Sequence, residues 1–105
     1  MLIAMVRLLV LYDTPADPEA FDRHYREVHI PLAKQLPGLR RYTLSRNARP
    51  VRGDRSYYLI AELDWDDMDA LRAAFASEVG QATSADVPTF APTGVASLSY
   101  ELEEV

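Results

Sequence analysis

The fold is decided by the run Leu2–Tyr12, LIAMVRLLVLY, in which every residue except Arg7 is apolar or aromatic. A surface helix would be apolar along one stripe only, and a strand with one wet face would alternate apolar and polar residues. The run shows neither pattern. It therefore predicts a β-strand whose two faces are both covered.

An amphipathic helix is predicted after the turn that follows this strand. Asp17 and Pro18 are typical of a helix start, where an acidic side chain caps the end and proline occupies the first turn. Its apolar stripe consists of Phe21, Tyr25, Val28, Leu32 and Leu36. Pro31 lies inside the stripe and lacks a backbone N–H, so we expect the helix to kink or divide there.

Two strands are predicted next, at Leu39–Asn47 and Ser56–Trp65, with the polar hairpin loop Ala48–Arg55 between them. The second of these strands alternates. Tyr57, Leu59, Ala61, Leu63 and Trp65 share one of its faces.

The last third of the chain predicts a helix and a strand. Asp66 caps the helix, and its apolar stripe consists of Met68, Leu71, Phe75 and Val79. The segment Gly80–Thr93 contains two prolines and is predicted to be irregular, and Val95–Leu102 is predicted as the fourth strand.

The predicted order is β-α-β-β-α-β, which is the split βαβ or ferredoxin-like arrangement of the α+β class. We expect one domain over residues 1–105, with an antiparallel four-stranded sheet and two helices on one of its faces. The other sheet face is too apolar to stay wet. We therefore predict a homodimer in which two sheets pack face to face.

Composition excludes several classes of protein. The chain has 105 residues, a formal net charge of −5 and no cysteine. These counts argue against a nucleic-acid backbone binder and exclude a disulfide scaffold or a thiolate metal site. No run reaches the roughly 18 apolar residues of a membrane span, and the N-terminal run lacks the pattern of a signal peptide, so we expect a cytoplasmic protein without a membrane partner.

The two histidines, His24 and His29, are the candidates for chemistry. On an α-helix a spacing of five residues separates them by about 140°, so they should not hold one metal ion from one face. His29 lies nearer the centre of the apolar stripe. It is either a buried histidine bonded to a carbonyl or carboxylate, or a general acid/base in a cavity under the helix.

Aromatic residues could line such a cavity, and the candidates are Tyr12, Tyr42, Trp65, Phe75 and Phe90. Filling of the core is the alternative, and it is the stronger one for Phe75. Arg7 within an apolar strand needs an ionic partner or an aqueous cavity. No phosphate loop or dinucleotide fingerprint occurs, so we expect no cofactor.

The chain resembles the EthD family of the dimeric α+β barrel superfamily. Four blocks carry the resemblance in order: Phe21–Leu32 (FDRHYREVHIPL), Pro37-Gly38 followed by Tyr42, Glu62–Met68 leading into Ala70-Leu71, and Asp86 with Phe90. Tyr25 departs from the family pattern, which often has tryptophan there.

The resemblance implies a dimeric barrel with a ligand pocket between sheet and helices in each protomer. It gives a ligand-lining role to His29 first, and then to His24 and Tyr25. Family members accompany the degradation of ethers and other small compounds or act in polyketide-like pathways. Barrel relatives include cofactor-free monooxygenases, lactone isomerases and haem enzymes.

Three functions remain open from the sequence. The first is a cofactor-independent monooxygenase or isomerase for a small, hydrophobic, oxygenated compound, such as an ether, a lactone or a polyketide-like molecule. In it His29 moves a proton while Tyr12, Tyr42 or Arg7 stabilises the resulting anion. The second is a non-catalytic protein that sequesters an apolar metabolite, and the third is haem binding through His29.

Overall fold

The structure is a computed structural model that describes residues 5–105, so residues 1–4, the start of the predicted first strand, lie outside the described part. Its four strands are β1 (Val6–Tyr12), β2 (Arg41–Leu44), β3 (Leu59–Trp65) and β4 (Val95–Glu101). They form one antiparallel sheet in the order β2-β3-β1-β4. The predicted architecture is confirmed, although β2 and β3 are shorter than predicted.

The first helical stretch is divided, as Pro31 predicts. It consists of α1 (Pro18–His24), a π-helical segment (Tyr25–His29) and α2 (Ile30–Ala33). The side chain of Asp17 caps α1 by accepting from the backbone N–H of Ala20 at 3.1 Å. In the π-helical segment the backbone bonds reach back five residues, so each turn is wider than an α-helical turn.

The second helical stretch corrects the sequence analysis. Helix α3 (Met68–Ala76) ends at Ser77, and a further helix, α4 (Glu78–Phe90), replaces the irregular segment predicted over Gly80–Thr93. Ser77 starts the new helix by accepting from the N–H of Gly80 at 3.1 Å. Pro88 lies near the C-terminal end of α4, where the carbonyl it leaves unpaired is on an exposed turn, so the helix tolerates it.

Gly80 explains how α3 and α4 pack so closely. A Cβ at this position would lie 2.1 Å from the carbonyl oxygen of Ala74 and 2.4 Å from the Cα of Phe75. Both are backbone atoms, which cannot move aside as a side chain can. The residue that weakens a helix by propensity is therefore required here by packing.

The sheet separates two environments. On its inner face, under the helices, Val6, Ala61 and Trp65 are almost completely buried. On its outer face Leu9 pairs with Leu98, which is 56% exposed in the single chain. Within residues 5–105 no helix is long and apolar enough to cross a membrane.

Candidate active site

Two histidines hold one carboxylate between the first helical stretch and α4. The Nδ1 of His29 lies 2.9 Å from Oδ2 of Asp86, and the Nε2 of His24 lies 2.8 Å from Oδ1 of the same side chain. Thr89 also donates to Asp86 Oδ1 at 3.1 Å. The sequence interpretation of His29 as a buried histidine bonded to a carboxylate is thus confirmed.

The π-helical segment brings the two rings together. On a regular α-helix, residues five apart diverge by about 140°, but the wider turn over Tyr25–His29 brings His24 and His29 to the same side. The expectation that the helix keeps them on opposite sides is therefore wrong. Its error was to assume α-helical geometry through a stretch that Pro31 disturbs.

The protonation states of Asp86 and His29 follow from burial and from their mutual hydrogen bond. Burial would raise the pKa of Asp86, but the hydrogen bonds from His24, His29 and Thr89 outweigh it and lower that pKa below its usual value. The carboxylate is therefore ionised and only accepts hydrogen bonds. Burial lowers the pKa of His29, against the opposing effect of Asp86. At neutral pH His29 is thus a neutral imidazole that carries its proton on Nδ1.

The other ring nitrogen of His29, Nε2, has no hydrogen-bond partner among the described residues. The residue itself is 5% exposed. No buried side-chain nitrogen or oxygen of those residues lacks a partner, so this nitrogen must reach open space. His29 lines a cavity between the sheet and the helices. An unprotonated imidazole nitrogen therefore faces that cavity.

The cavity has a volume of about 330 Å³ and an apolar floor. The floor, and the end of the cavity away from His29, are formed by Leu8, Val10, Leu36, Ala61, Leu63, Leu71 and Phe75. Ser84, Ser97 and Ser99 form an exposed rim beside β4. Pockets of this size and polarity typically enclose small organic molecules.

Three tyrosines surround the end of the cavity nearest His29. The hydroxyls of Tyr25 and Tyr42 are 2.6 Å apart, so one donates to the other. Tyr12 packs edge-to-face on the Tyr25 ring, with 5.8 Å between ring centroids. Burial raises the pKa of Tyr12, Tyr25 and Tyr42, so all three stay protonated and can donate hydrogen bonds.

Phe90 and His24 lie behind His29, away from the cavity. The Phe90 ring packs against both imidazoles, at centroid distances of 4.9 Å from His29 and 5.4 Å from His24. Phe90 and His24 instead line an open groove of about 850 Å³ on the other side. Phe90 thus supports the histidine pair without facing the cavity, contrary to its predicted lining role.

Trp65 and Arg7 are also placed differently from the sequence prediction. Trp65 is fully buried in the core, where its Nε1 donates to the carbonyl of Pro37 at 3.0 Å. Arg7 points to the outer sheet face and pairs with Asp64 at 2.8 and 3.0 Å and with Glu62 at 3.1 Å. Its predicted need for an ionic partner is confirmed, but it is not available to a ligand in the cavity.

Asp86 is the site residue that the sequence analysis did not assign to chemistry. It was noted only as part of the resemblance, in a segment predicted to be irregular. The signal was nevertheless present, because Val79, Thr83, Val87 and Phe90 recur at helical steps of 4, 4 and 3. Recognising that helix would have placed Asp86 one turn before Phe90.

Comparison with known proteins identifies the family of this chain. The model of the EthD domain family matches residues 13–94. This range includes His24, His29, Asp86, Tyr25 and Tyr42, whereas Tyr12 lies just before it. An uncharacterized 11.0 kDa protein of Rhodococcus erythropolis, from the thcB-thcC intergenic region, is 38% identical over 96% of this chain and 98% of its own length.

Solved structures show the same architecture. An ethyl tert-butyl ether D (EthD) family protein of Bacillus halodurans is 35% identical, covers 96% of this chain and 99% of its own, and superposes with a TM-score of 0.84. Two other structures are similar at identities that show the fold alone. A dimeric ferredoxin-like protein of Thermobifida fusca is 17% identical, with 94% of this chain and 92% of its own covered and a TM-score of 0.68. The hydroxynitrile lyase of Passiflora edulis is 15% identical, with 99% of this chain and 98% of its own covered and a TM-score of 0.77. The family model and the two relatives above 30% identity lead to one assignment: this chain belongs to the EthD family and has its ferredoxin-like α+β fold.

Proposed function

We propose that this protein is an enzyme that moves a proton on a small, hydrophobic, oxygenated organic compound without a cofactor. One observation carries the proposal. The Nδ1 of His29 is held by the ionised Asp86 at 2.9 Å, while its Nε2 is left unpaired toward an apolar cavity. A general base needs this arrangement, because the carboxylate fixes the tautomer and stabilises the imidazolium that forms.

The tyrosines complete the chemistry. Removal of a proton from a carbon beside a carbonyl group places negative charge on the carbonyl oxygen. Tyr12 and whichever of Tyr25 and Tyr42 accepts in their mutual hydrogen bond each keep a free O–H, and these neutral phenols can donate to that oxygen. The resulting enolate can be reprotonated elsewhere, as in an isomerase, or can react with dioxygen, as in a cofactor-independent oxygenase.

Deuterium uptake tests the proposal without knowledge of the natural substrate. The protein is incubated in D₂O with a panel of ketones, esters and lactones, and exchange at acidic C–H bonds is followed by mass spectrometry. We expect exchange above the uncatalysed rate for at least one compound, and its loss in His29→Gln and His29→Ala. His24→Gln, which leaves the base and its carboxylate in place, should retain more exchange. Unchanged exchange in both His29 variants would rule the proposal out.

A binding protein that sequesters an apolar metabolite is the second candidate, and the apolar floor of the cavity favours it. It predicts a ligand-dependent rise in melting temperature with recovery of unaltered ligand. Recovery of a chemically changed ligand would exclude it as the whole function. Haem binding through His29 stays a sequence-based prediction, which a His29-dependent Soret shift on addition of haemin would test.

We also propose that the protein is a homodimer through the outer sheet face. The single chain exposes 7331 Å², whereas a compact monomer of 11.8 kDa exposes about 5,900 Å². The apolar side chains of Leu9, Leu11 and Leu98 lie on that face. Size-exclusion chromatography with light scattering should give twice the chain mass. Leu98→Glu should shift it toward the monomer, whereas Val51→Glu, at a fully exposed loop position, should not.

A further inference from the structure

The cavity is elongated, and its two ends differ in polarity. It follows the inner face of β1, where the alternate residues Leu8, Val10 and Tyr12 all line it. The four residue steps from Leu8 to Tyr12 span about 13 Å, so a ligand can lie along the strand with its ends in different surroundings. The Tyr12 end lies beside His29 and Tyr25, and the Tyr25 hydroxyl meets that of Tyr42. At the Leu8 end the floor is aliphatic apart from Phe75, and Ser99 borders the rim.

The hydroxyl rim follows the same axis. Ser97 is paired with Val10 and Ser99 with Leu8 across the β1–β4 ladder, and both serines line the cavity. The rim therefore runs beside the half of the cavity that has the apolar floor. Hydroxyl groups at an open rim can pair with neutral oxygen substituents, which they can both donate to and accept from.

The cavity wall carries no formal positive charge. Among residues 5–105, none of those that line it is lysine or arginine. Arg7 is turned to the outer face and engaged with two carboxylates. Arg26 is exposed and does not line the cavity, although its charge opposes the rise that burial causes in the pKa of Tyr25 and Tyr42.

The fixed charge nearest the reactive nitrogen is negative. Asp86 bonds to the far side of the His29 ring and is itself only 12% exposed at its side chain. An anionic ligand group placed against His29 would lose hydration, find no cation among the side chains that line the cavity, and approach this carboxylate. Burial of an unpaired charge is far more costly than burial of a neutral carbonyl that accepts a hydrogen bond.

We propose that the cavity selects uncharged, elongated, oxygenated molecules that carry a carbonyl group at the end next to His29 and the tyrosine hydroxyls. Carboxylates and phosphates of the same size and shape are rejected. The selection rests on the proposed function for the role of His29, and it names the substrate class of that same site. It also places the reaction among neutral ketones, esters or lactones, before any step that produces an acid.

A matched pair of probes tests the selection. 2-Acetylnaphthalene and 2-naphthoate have the same ring system and differ by a methyl group in place of a charged oxygen. Binding is measured by calorimetric titration at pH 7.5, and the shift of the His29 ring signals in NMR spectra locates it. We expect the ketone to bind at least ten-fold more tightly than the carboxylate. Equal or tighter binding of the carboxylate overturns the inference, as does failure of both probes to bind.

An introduced charge supplies the converse test. Ser97 is exposed on the edge strand β4 and borders the cavity, so Ser97→Lys should be tolerated and should place an ammonium group at the rim. We expect carboxylate binding to strengthen at least five-fold in Ser97→Lys, with no such gain in the neutral control Ser97→Gln. An equal effect of both variants would show that charge is not what decides selection.

The same samples separate this inference from the proposed function. Deuterium uptake by the ketone reports catalysis, whereas the binding ratio of the two probes reports selection. A ten-fold ratio without any exchange would leave the selection standing and argue against catalysis. Deuterium exchange in the ketone together with tight binding of the carboxylate would support catalysis and overturn the selection.

Discussion

Replacement of Asp86 by asparagine removes one charge and changes almost nothing in size. The wild-type carboxylate accepts hydrogen bonds from both His24 and His29. The two rings contact different oxygens of Asp86, and asparagine keeps only one of these positions as an oxygen, so in this geometry it can accept from one ring only. Its NH₂ group must face the other ring, which then has to present an unprotonated nitrogen.

The size of the effect follows from these bonds. A hydrogen bond to a charged group contributes about 1.5 to 3 kcal/mol, and a neutral one about 1 kcal/mol. Asp86→Asn weakens one of the two bonds with histidine and inverts the other, and water replaces them incompletely because the side chains of Asp86 and His29 are only 12% and 6% exposed. We expect the free energy of unfolding to fall by about 3 kcal/mol.

The expected loss of activity is larger than the loss of stability. If the NH₂ group faces His29, the proton of that ring moves to Nε2 and the base is lost. In a serine protease the corresponding aspartate-to-asparagine change lowers turnover by about ten thousand-fold through this tautomer change. We expect deuterium exchange to fall at least a hundred-fold.

Two measurements on purified Asp86→Asn check the reasoning. Urea unfolding at a fixed protomer concentration gives the stability change, and ¹⁵N-resolved NMR of the His29 ring identifies its tautomer. The control is Asp66→Asn, at an exposed carboxylate paired with Arg40, which should leave the free energy of unfolding almost unchanged. Asp86→Asn as stable as that control, with His29 still protonated on Nδ1, would refute the assigned role of Asp86.

Three further changes have defined outcomes. Gly80→Ala should destabilise by at least 2 kcal/mol in urea unfolding, because its Cβ would lie 2.1 Å from the Ala74 carbonyl oxygen; wild-type stability would mean that α3 and α4 separate easily. Tyr25→Phe removes the 2.6 Å bond to Tyr42 and should cost about 1 kcal/mol, with weaker ketone binding; unchanged binding would remove the pair from the site. Because His29 has a folded-state pKa below its unfolded value of 6.5, the unfolded chain binds more protons, so stability should fall as pH drops below about 6.5, by at most about 1.4 kcal/mol per pH unit. In His29→Gln the free energy of unfolding should depend less on pH. An equally steep dependence in that variant would contradict the lowered pKa of His29.

The sheet could be predicted because its residues follow a simple rule. Alternation in β3 assigned Ala61, Leu63 and Trp65 to one face, and all three are buried there. The helix α4 has a helical periodicity of its own, but Gly80 and Pro88 each disfavour a helix locally, and they outweighed that periodicity in the prediction. Close packing of Gly80 on Ala74 and a C-terminal position for Pro88 override that preference, and neither is visible in a single sequence.

The site was predicted in part for a similar reason. His29 stood out because it was an ionisable residue on an apolar stripe, and Tyr12 and Tyr42 because they fall on strands at the expected cavity. Phe90 was predicted to line the cavity, but its ring packs against His29 and lines the groove on the other side. Asp86 is a carboxylate that becomes informative only when α4 is known to lie against His29.

The π-helical segment connects these partial predictions. Pro31 has no N–H to offer the preceding turn, so a regular α-helix is already interrupted there. The widened turn loses regular hydrogen-bond geometry, and this cost is offset because it allows His24 and His29 to hold Asp86 from two sides. A relative with an unbroken α-helix in this position would need a spacing of three or four residues between its histidines to hold one carboxylate in the same way. The five-residue spacing and the proline that follows it are therefore a single structural feature, and the reactive face of His29 depends on both.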